Sequence, residues 1–360
     1  MKISTILGAR PQFIKAAPVT KALRATGLKE HIIHTGQHYD DEMSAVFFRN
    51  LDLPFPDYNL GVGSGSHGMQ IGQMLIRIEE VLLAEMPDWV LVYGDTNSTL
   101  AGALAACKLC IPCAHIEAGL RSFNREMSEE HNRVLTDRCS DLLFCPTQTA
   151  VNNLAKEGIH KGVHLVGDTM YDAVLQFSGI ASKRSTILED LGLKSKEYLL
   201  ATIHRPQNAD VPENLQNILT AFLEINEPIV FPIHPRTKQH VMSSHFEIHN
   251  SKVLCIPPVG YLDMLMLEQN ARAIFTDSGG VQKEAHFFGV PCFTMRTETE
   301  WIETVELGWN VIVGADRAKI VEAFQCVKPG ISRTGTYGDG KAAEKIVKNL
   351  MRCQNDLIRS

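Results

Sequence analysis

Phe275-Thr276-Asp277-Ser278-Gly279-Gly280-Val281-Gln282-Lys283-Glu284 joins a strand pattern to a helix pattern. Ahead of it, Ala271-Arg272-Ala273-Ile274-Phe275 reads as a strand entering a core. After it, Val281, Ala285 and Phe288 recur at helical spacing, and Gly289 followed by Pro291 closes the helix. Asp277 to Gly280 are therefore the turn between a strand end and a helix start. Two successive glycines let backbone N–H groups come close to a ligand, and a helix N-terminus favours negative charge. Ser278, Gly279 and Gly280 read as a phosphate cradle. Glu284, one turn on, cannot help to bind an anion, so it points to a ribose diol and hence to a nucleotide diphosphate. The same ten residues also suit an ordinary strand-to-helix turn with glycine present for geometry.

Outward from this stretch the alternation continues in both directions. Strand patterns at 198–203, 228–233, 252–256 and 291–295 surround it. Towards the N-terminus, strand patterns at 2–7, 31–34, 89–93, 112–116, 142–145 and 164–166 alternate with helices such as 14–25 and 100–109. Short apolar runs alternating with helices indicate parallel, doubly wound sheets whose carboxyl edges hold ligands. The expected fold is α/β, two doubly wound Rossmann-like domains facing across a cleft. The pattern restarts near Val166 to Thr169, giving residues 1–168 as one domain and 169–339 as the second, nucleotide-binding one. The last helix, 341–351, carries Ile346, Leu350 and Met351 on one face, and 340–360 is expected to return to the first domain.

Composition narrows the class. A chain of 360 residues with 44% hydrophobic and 21% charged residues fits a globular protein of two domains. A net charge of −6 argues against nucleic acid or an anionic membrane as the main partner. The opening Met1 to Gly8 is too short for a leader, and no run is long and apolar enough to span a bilayer. Nine cysteines, several in apolar runs, fit reduced thiols, so a cytoplasmic enzyme is expected. Cys107, Cys110 and Cys113 lack a fourth ligand at cluster spacing and read as small buried hydrophobes, with no metal.

Polar residues gather at the ends of the strands. Arg10 and Lys15 flank the first turn, and solvated surface is the plainer reading for Lys15. Asp95 ends a buried strand, where catalysis competes with a helix N-cap role. In His115-Ile116-Glu117-Ala118-Gly119, alternation puts His115 and Glu117 on one side. Ser128 is placed to cap a helix carrying Glu129 and Arg133 four apart, which is also the spacing of a surface ion pair. Carboxylates crowded near a cleft suit general acid–base work, because crowding raises a pKa. Further on, His204-Arg205 and His234-Pro235-Arg236 each end an apolar strand with donors suited to a diphosphate. No Gly-x-Gly-x-x-Gly follows the first strand, which weakens a nicotinamide reading.

As a set, these stretches resemble the non-hydrolysing UDP-N-acetylglucosamine 2-epimerase family. The matching residues are Gly8-Ala9-Arg10-Pro11 with Lys15, Thr35-Gly36-Gln37-His38, Gly94-Asp95-Thr96 and His115 to Arg121. They continue with Glu129-Glu130, Asn132-Arg133, Thr202-Ile203-His204-Arg205 and Asp277-Ser278-Gly279-Gly280 with Glu284. The resemblance implies a GT-B-like fold, a UDP-sugar held in the cleft, a homodimer, and neither metal nor NAD. It implies removal of the carbon-2 proton as UDP leaves carbon 1, then re-addition of UDP across a 2-acetamidoglucal. By position Asp95, Glu117 and Glu129 fall on the family's acidic catalytic residues and His204 on its histidine. Arg10 matches a phosphate-binding arginine, Ser278 to Gly280 the diphosphate cradle, and Glu284 the ribose-binding carboxylate.

Departures within the pattern point to one branch. Thr299-Glu300-Trp301-Ile302-Glu303 stands where the family commonly has Thr-Glu-Arg-Pro-Glu, so Trp301 replaces an expected arginine. Residues 61–73 do not follow the segment of an allosteric site in some members, and Ser128 replaces a proline. With Gln37-His38-Tyr39-Asp40 and Val166-Gly167-Asp168, this looks closer to the branch acting on UDP-2,3-diacetamido-2,3-dideoxy-glucuronate for surface polysaccharides. The alternatives are an epimerase for plain UDP-N-acetylglucosamine, a hydrolysing relative, a GT-B glycosyltransferase and a non-catalytic UDP-sugar sensor.

Overall fold

The structure, a computed structural model, describes residues 1–37, 48, 51–233, 237–238, 240–241, 252–326, 328, 330–331 and 335–359, without the side chains of 354–359. Tyr39, Asp40, His234 and Arg236 lie outside the described residues, as does His38. The chain divides into two compact units, Met1–Gln176 with Gly335–Ser360, and Phe177–Thr334.

The first unit is a seven-stranded parallel sheet in the order β3-β2-β1-β4-β5-β6-β7. Its strands are β1 (Lys2–Leu7), β2 (Lys29–His34), β3 (Tyr58–Asn59), β4 (Trp89–Tyr93), β5 (Cys113–Ile116), β6 (Leu142–Cys145) and β7 (Val163–Leu165). Apolar residues at every position of β4 and β6 follow from helices covering both faces of a parallel sheet. The order runs outward in opposite directions from β1 and β4, so the carboxyl ends of those two strands flank a topological switch point, where doubly wound sheets take their ligands.

The second unit repeats the design with six parallel strands in the order β10-β9-β8-β11-β12-β13. They are β8 (Leu199–Thr202), β9 (Ile229–Pro232), β10 (Val253–Ile256), β11 (Ala273–Thr276), β12 (Cys292–Thr294) and β13 (Asn310–Ile312). Its switch point lies between β8 and β11, which pair in register from Ala273 opposite Leu199 to Thr276 opposite Thr202. Both faces carry apolar clusters, one around Phe222, Phe231, Phe275 and Phe293 and the other around Tyr198, Leu267 and Val281.

Numbered in chain order, the helices are α1 (Arg10–Ala25), α2 (His67–Glu85), α3 (Asn97–Lys108), α4 (Ser128–Cys139), α5 (Gln148–Lys156), α6 (Thr169–Arg184) and α7 (Ile187–Asp190). They continue with α8 (Pro206–Ala209), α9 (Pro212–Ile225), α10 (Tyr261–Asn270), α11 (Gly279–Phe287), α12 (Ile302–Glu306), α13 (Arg317–Gln325) and α14 (Ala342–Arg359). Three elements differ from the sequence reading. β3 and β13 are two and three residues long, too short to show a period. The third, α2, opens inside a run of Gly and Ser, yet it buries Gln70, Met74, Ile78 and Leu82 at four-residue spacing.

The C-terminal helix α14 packs on α1 in the first unit, with Ile346, Val347 and Leu350 buried and Met351 exposed. Its first turn is held by Asp172, whose carboxylate accepts from the Ala342 and Ala343 N–H groups at 3.1 and 2.8 Å. Burial pushes the Asp172 carboxyl up to about 6 against the pull of those donors. Cysteine burial is a correction: Cys113 is buried, but Cys107 and Cys110 are exposed because they end α3 and the turn after it. Among the described residues no helix is long and apolar enough to cross a membrane.

Candidate active site

At the first switch point the chain is drawn tightly around Gly8. A Cβ there would lie 2.0 Å from Ser98 Oγ and 2.3 Å from Thr35 Oγ1, so only glycine fits. Buried Gln12 braces this turn. Its Oε1 accepts from the Gly8 and Ala9 N–H groups at 2.7 and 3.0 Å, and its Nε2 donates to Tyr93 O and Thr99 Oγ1 at 2.8 and 2.9 Å. The end of β1 is thereby clamped to the end of β4. Arg10, expected in the turn, is instead the first residue of α1, and burial lowers its guanidinium pKa.

Lys15 is not solvated surface. Its ammonium is paired with Glu117 Oε2, and both side chains are nearly buried. Room for the pair comes from Gly94, where a Cβ would lie 3.2 Å from Glu117 Oε2 and 3.4 Å from Lys15 Nζ. Glu117 itself is left-handed at φ 74°, a strained state for a non-glycine residue. Its N–H and that of Ala118 both donate to Phe144 O at 3.1 Å, which holds the strained turn in place. His115, on the strand just before, is buried between Asp137 Oδ1 and Gly94 O, each at 2.7 Å. Asp137 also meets Arg121 at 2.8 Å, and Arg121 forks onto Glu157 at 2.7 and 2.8 Å. His115 and Asp137 thus brace the site from behind.

Asp95 follows Gly94 directly. The helix-cap alternative belongs to its neighbour, since Thr96 accepts from Thr99 N–H and closes a capping box. The Asp95 carboxylate instead pairs with Arg133, while its backbone oxygen accepts from Asn132 at 2.9 Å. Arg133 also meets Glu130 at 2.9 Å. The expected pairing with Glu129, four residues back, is replaced by one with Glu130, three back and nearly buried. Glu130 further accepts from Ser122 N, Ser122 Oγ and Phe123 N at 2.9, 2.9 and 3.0 Å. Ser128 does not cap α4. Met127 is the N-cap, and Ser128, the first helical residue, donates to Glu129 at 3.2 Å. Glu129 stays half-buried in the first turn, where the helix N-terminus favours its charge.

The second switch point is organised by a residue that the sequence shows only as part of a turn, Asp277. It is fully buried, and its carboxylate accepts from His204 N, Arg205 N and Asn208 Nδ2 at 3.0 to 3.1 Å. His204 Nδ1 is 3.2 Å from the same carboxylate, and Arg205 Nε donates to Asp277 O at 3.1 Å. The loops after β8 and β11 are thus locked together, with half the His204 side chain left exposed. Ser278 is the N-cap of α11 but makes no side-chain capping bond. A Cβ on Gly279 would lie 2.7 Å from Glu300 Oε1 and 3.3 Å from Trp301 Nε1. That glycine therefore serves close approach and not a positive φ. Glu300 is paired with Arg296 at 3.0 Å, and buried Lys283 stacks on the Trp301 ring at 3.8 Å. Glu284 is buried in α11, where Tyr261 and Glu268 of α10 reach it.

Asp95, Glu117, Lys15 and Arg133 are therefore gathered at one sheet edge of the first unit. His204, Arg205 and Ser278 to Gly280 gather at the matching edge of the second. Each edge suits its own chemistry: carboxylates with adjacent cations can move protons, and N–H groups at a helix start can hold an anion. Among the described residues no three His, Cys, Asp or Glu side chains come together as a metal-holding group. Gln12, Asp137 and Asp277 went unassigned in the sequence because their partners are distant in the chain.

The family model for UDP-N-acetylglucosamine 2-epimerase matches residues 21–351. A UDP-N-acetylglucosamine 2-epimerase homolog of Methanococcus maripaludis is 55% identical over 97% of this chain and 99% of its own. The UDP-2,3-diacetamido-2,3-dideoxy-D-glucuronate 2-epimerase of Pseudomonas aeruginosa is 50% identical over 98% of this chain and 100% of its own. The crystal structure of Methanocaldococcus jannaschii UDP-GlcNAc 2-epimerase in complex with UDP-GlcNAc and UDP superposes with a TM-score of 0.92. That protein is 48% identical, over 98% of this chain and 100% of its own.

Proposed function

The chain belongs to the UDP-N-acetylglucosamine 2-epimerase family and is an isomerase, and we propose that it inverts carbon 2 of UDP-2,3-diacetamido-2,3-dideoxy-glucuronate. The product is the manno-configured uronate, used for surface polysaccharide. The observation that carries this reading is the division of chemistry between two switch points, carboxylates beside cations at one and an anion cradle at the other. A relative named for the diacetamido-uronate, 50% identical along its whole length, supports the choice of sugar.

The reaction is an elimination followed by an addition. A carboxylate takes the carbon-2 proton, the C2–H electrons form the C1=C2 bond, and the C1–O bond breaks to release UDP. The 2-acetamidoglucal then receives a proton on its other face, and the UDP oxygen returns to carbon 1. Asp95, Glu117 and Glu129 carry the proton transfers. Lys15 and Arg133 keep Glu117 and Asp95 in place and offset their charge. Ser278, Gly279 and Gly280 hold the diphosphate at the start of α11, with Arg10, His204, Arg205 and His234 as further donors. Glu284 takes the ribose. A cytoplasmic homodimer fits a nucleotide-sugar enzyme, and the exposed Met69, Ile76 and Leu83, seven residues apart on α2, support a surface for a second copy.

Product analysis tests the substrate. Given the diacetamido-uronate and UDP-N-acetylglucosamine separately, the enzyme is expected to turn over the first at least 100-fold faster in kcat/KM, about 2.7 kcal/mol. Faster turnover of UDP-N-acetylglucosamine would select the second reading. The Methanocaldococcus jannaschii relative, crystallised with that sugar nucleotide, supports that reading.

A further inference from the structure

A chain of three buried amides ends on Asp95, and the proposed reaction leaves it without a role. Asn97 opens α3, Gln70 lies in the first turns of α2 and Asn132 in α4. Asn132 Nδ2 donates to Asp95 O at 2.9 Å and to Asn97 Oδ1 at 3.1 Å. Asn97 Nδ2 donates in turn to Gln70 Oε1 at 2.8 Å, and Gln70 Nε2 to Gly63 O at 3.0 Å. His67 Nδ1 lies 3.1 Å from the same Asn97 nitrogen. The two ends fix the direction of the chain. Asp95 O and Gly63 O are backbone carbonyls, which only accept, so Asn132 and Gln70 must each turn an NH2 group towards one of them. Gln70 is then left facing Asn97 with its oxygen, and Asn132 faces it with a hydrogen. Asn97 therefore has to donate on one side and accept on the other.

We infer that Asn97 is a positioning residue for Asp95, acting through Asn132 to set the backbone from which the Asp95 carboxylate projects. The inference rests on the reading of Asp95 as a proton-transfer group. Asn132 precedes Arg133, which pairs with the Asp95 carboxylate, so α4 grips that residue by backbone and side chain together. Asn97 locks the first of these grips by holding the Asn132 amide in one orientation. The cap of α3 is made by Thr96 and Thr99, so the helix does not call on the Asn97 side chain. Without the chain, Asn132 is free to turn and the carboxylate to drift. A misplacement of about 1 Å at a reacting group costs up to about 10²-fold in rate.

The test is a double-mutant cycle on the full-length protein, read as kcat, KM and carbon-2 deuterium exchange with UDP-2,3-diacetamido-2,3-dideoxy-glucuronate, beside calorimetric binding of UDP. Asn97→Ala is expected to lower kcat about tenfold, with KM and UDP affinity within about twofold of wild type. Asn132→Ala should lower kcat at least as much, and the double variant should match it within about twofold, because both changes break one chain. Effects that multiply in the double variant would show that Asn97 acts apart from Asn132, which overturns the inference. Wild-type kcat in a folded Asn97→Ala, or a loss that falls on UDP affinity instead, would overturn it as well. If the alanine variant does not fold, Asn97→Asp decides. It keeps the volume and the acceptor for Asn132 but sets an oxygen against Gln70 Oε1, and should lower kcat about fivefold or more. Wild-type kcat in that variant would sink the inference. Wild-type kcat in Asp95→Asn would take Asp95 out of proton transfer, and the inference with it. No carbon-2 exchange in the wild type would instead defeat the proposed function itself.

Discussion

The two switch points are built from the same topology and treat charge in opposite ways. At the β1/β4 edge, Asp95 and Glu117 are each met by a cation, and the surrounding buried groups tie those pairs into place. At the β8/β11 edge, the buried Asp277 is satisfied by backbone and amide N–H groups, and the start of α11 offers N–H dipoles. The first arrangement sets each carboxylate beside a cation, which suits the proton transfers proposed for it. The second presents neutral donors, which suits the proposed cycle of diphosphate release and return. The contrast teaches that the sheet edge supplies only a location. On the proposed reading, the residues after each strand decide whether that location moves protons or holds phosphate.

If this division of labour holds, variants should fall into two classes. Asp95→Asn and Glu117→Gln should each lower kcat by about 10²–10⁴-fold with UDP affinity within about threefold of wild type. Steady-state kinetics beside calorimetry checks this, and a matching loss of UDP affinity would break the comparison. Asp277→Ala should act on the other side. It strips an acceptor from the N–H groups of His204 and Arg205 and the Asn208 amide, costing about 3–5 kcal/mol of stability and weakening UDP at least tenfold. A variant that denatures like wild type and binds UDP normally would show that Asp277 does not hold the cradle.

A smaller effect lies away from both edges. The Asp172 carboxyl sits at about 6 when folded and near 3.9 when unfolded, so the folded state binds its proton more tightly. Its contribution to stability is full below about pH 4 and is lost as pH rises through 6, on the order of 3 kcal/mol at most. Asp172→Asn should flatten the decline in denaturation free energy across that window. An unchanged slope would show that another group is responsible.

The sequence made the strands and their polar ends legible for one reason. A buried parallel strand is an uninterrupted apolar run, and the residues after it are released to the edge. That logic located Asp95, Glu117, His204 and Ser278 without long-range information. It failed where one polar group serves another far along the chain. Gln12 bonds to Tyr93 and Thr99, 81 and 87 residues away, and nothing near Gln12 announces those partners. Asp277 answers His204 and Arg205 across 73 and 72 residues in the same way. Local rules also misplaced Ser128, because a serine before two glutamates suits an N-cap as well as a first helical residue. In α2 the glycines of the opening turns hid a helix whose buried face is regular.

The central claim is that carbon 2 is deprotonated while the C1–O bond to UDP breaks. One NMR experiment in heavy water tests both parts, using substrate carrying ¹⁸O in the bridge between sugar and phosphate. The account predicts deuterium at carbon 2 of the product and scrambling of the label into non-bridging positions of the β-phosphate. Epimerised product without deuterium, or deuterium without scrambling, would contradict it.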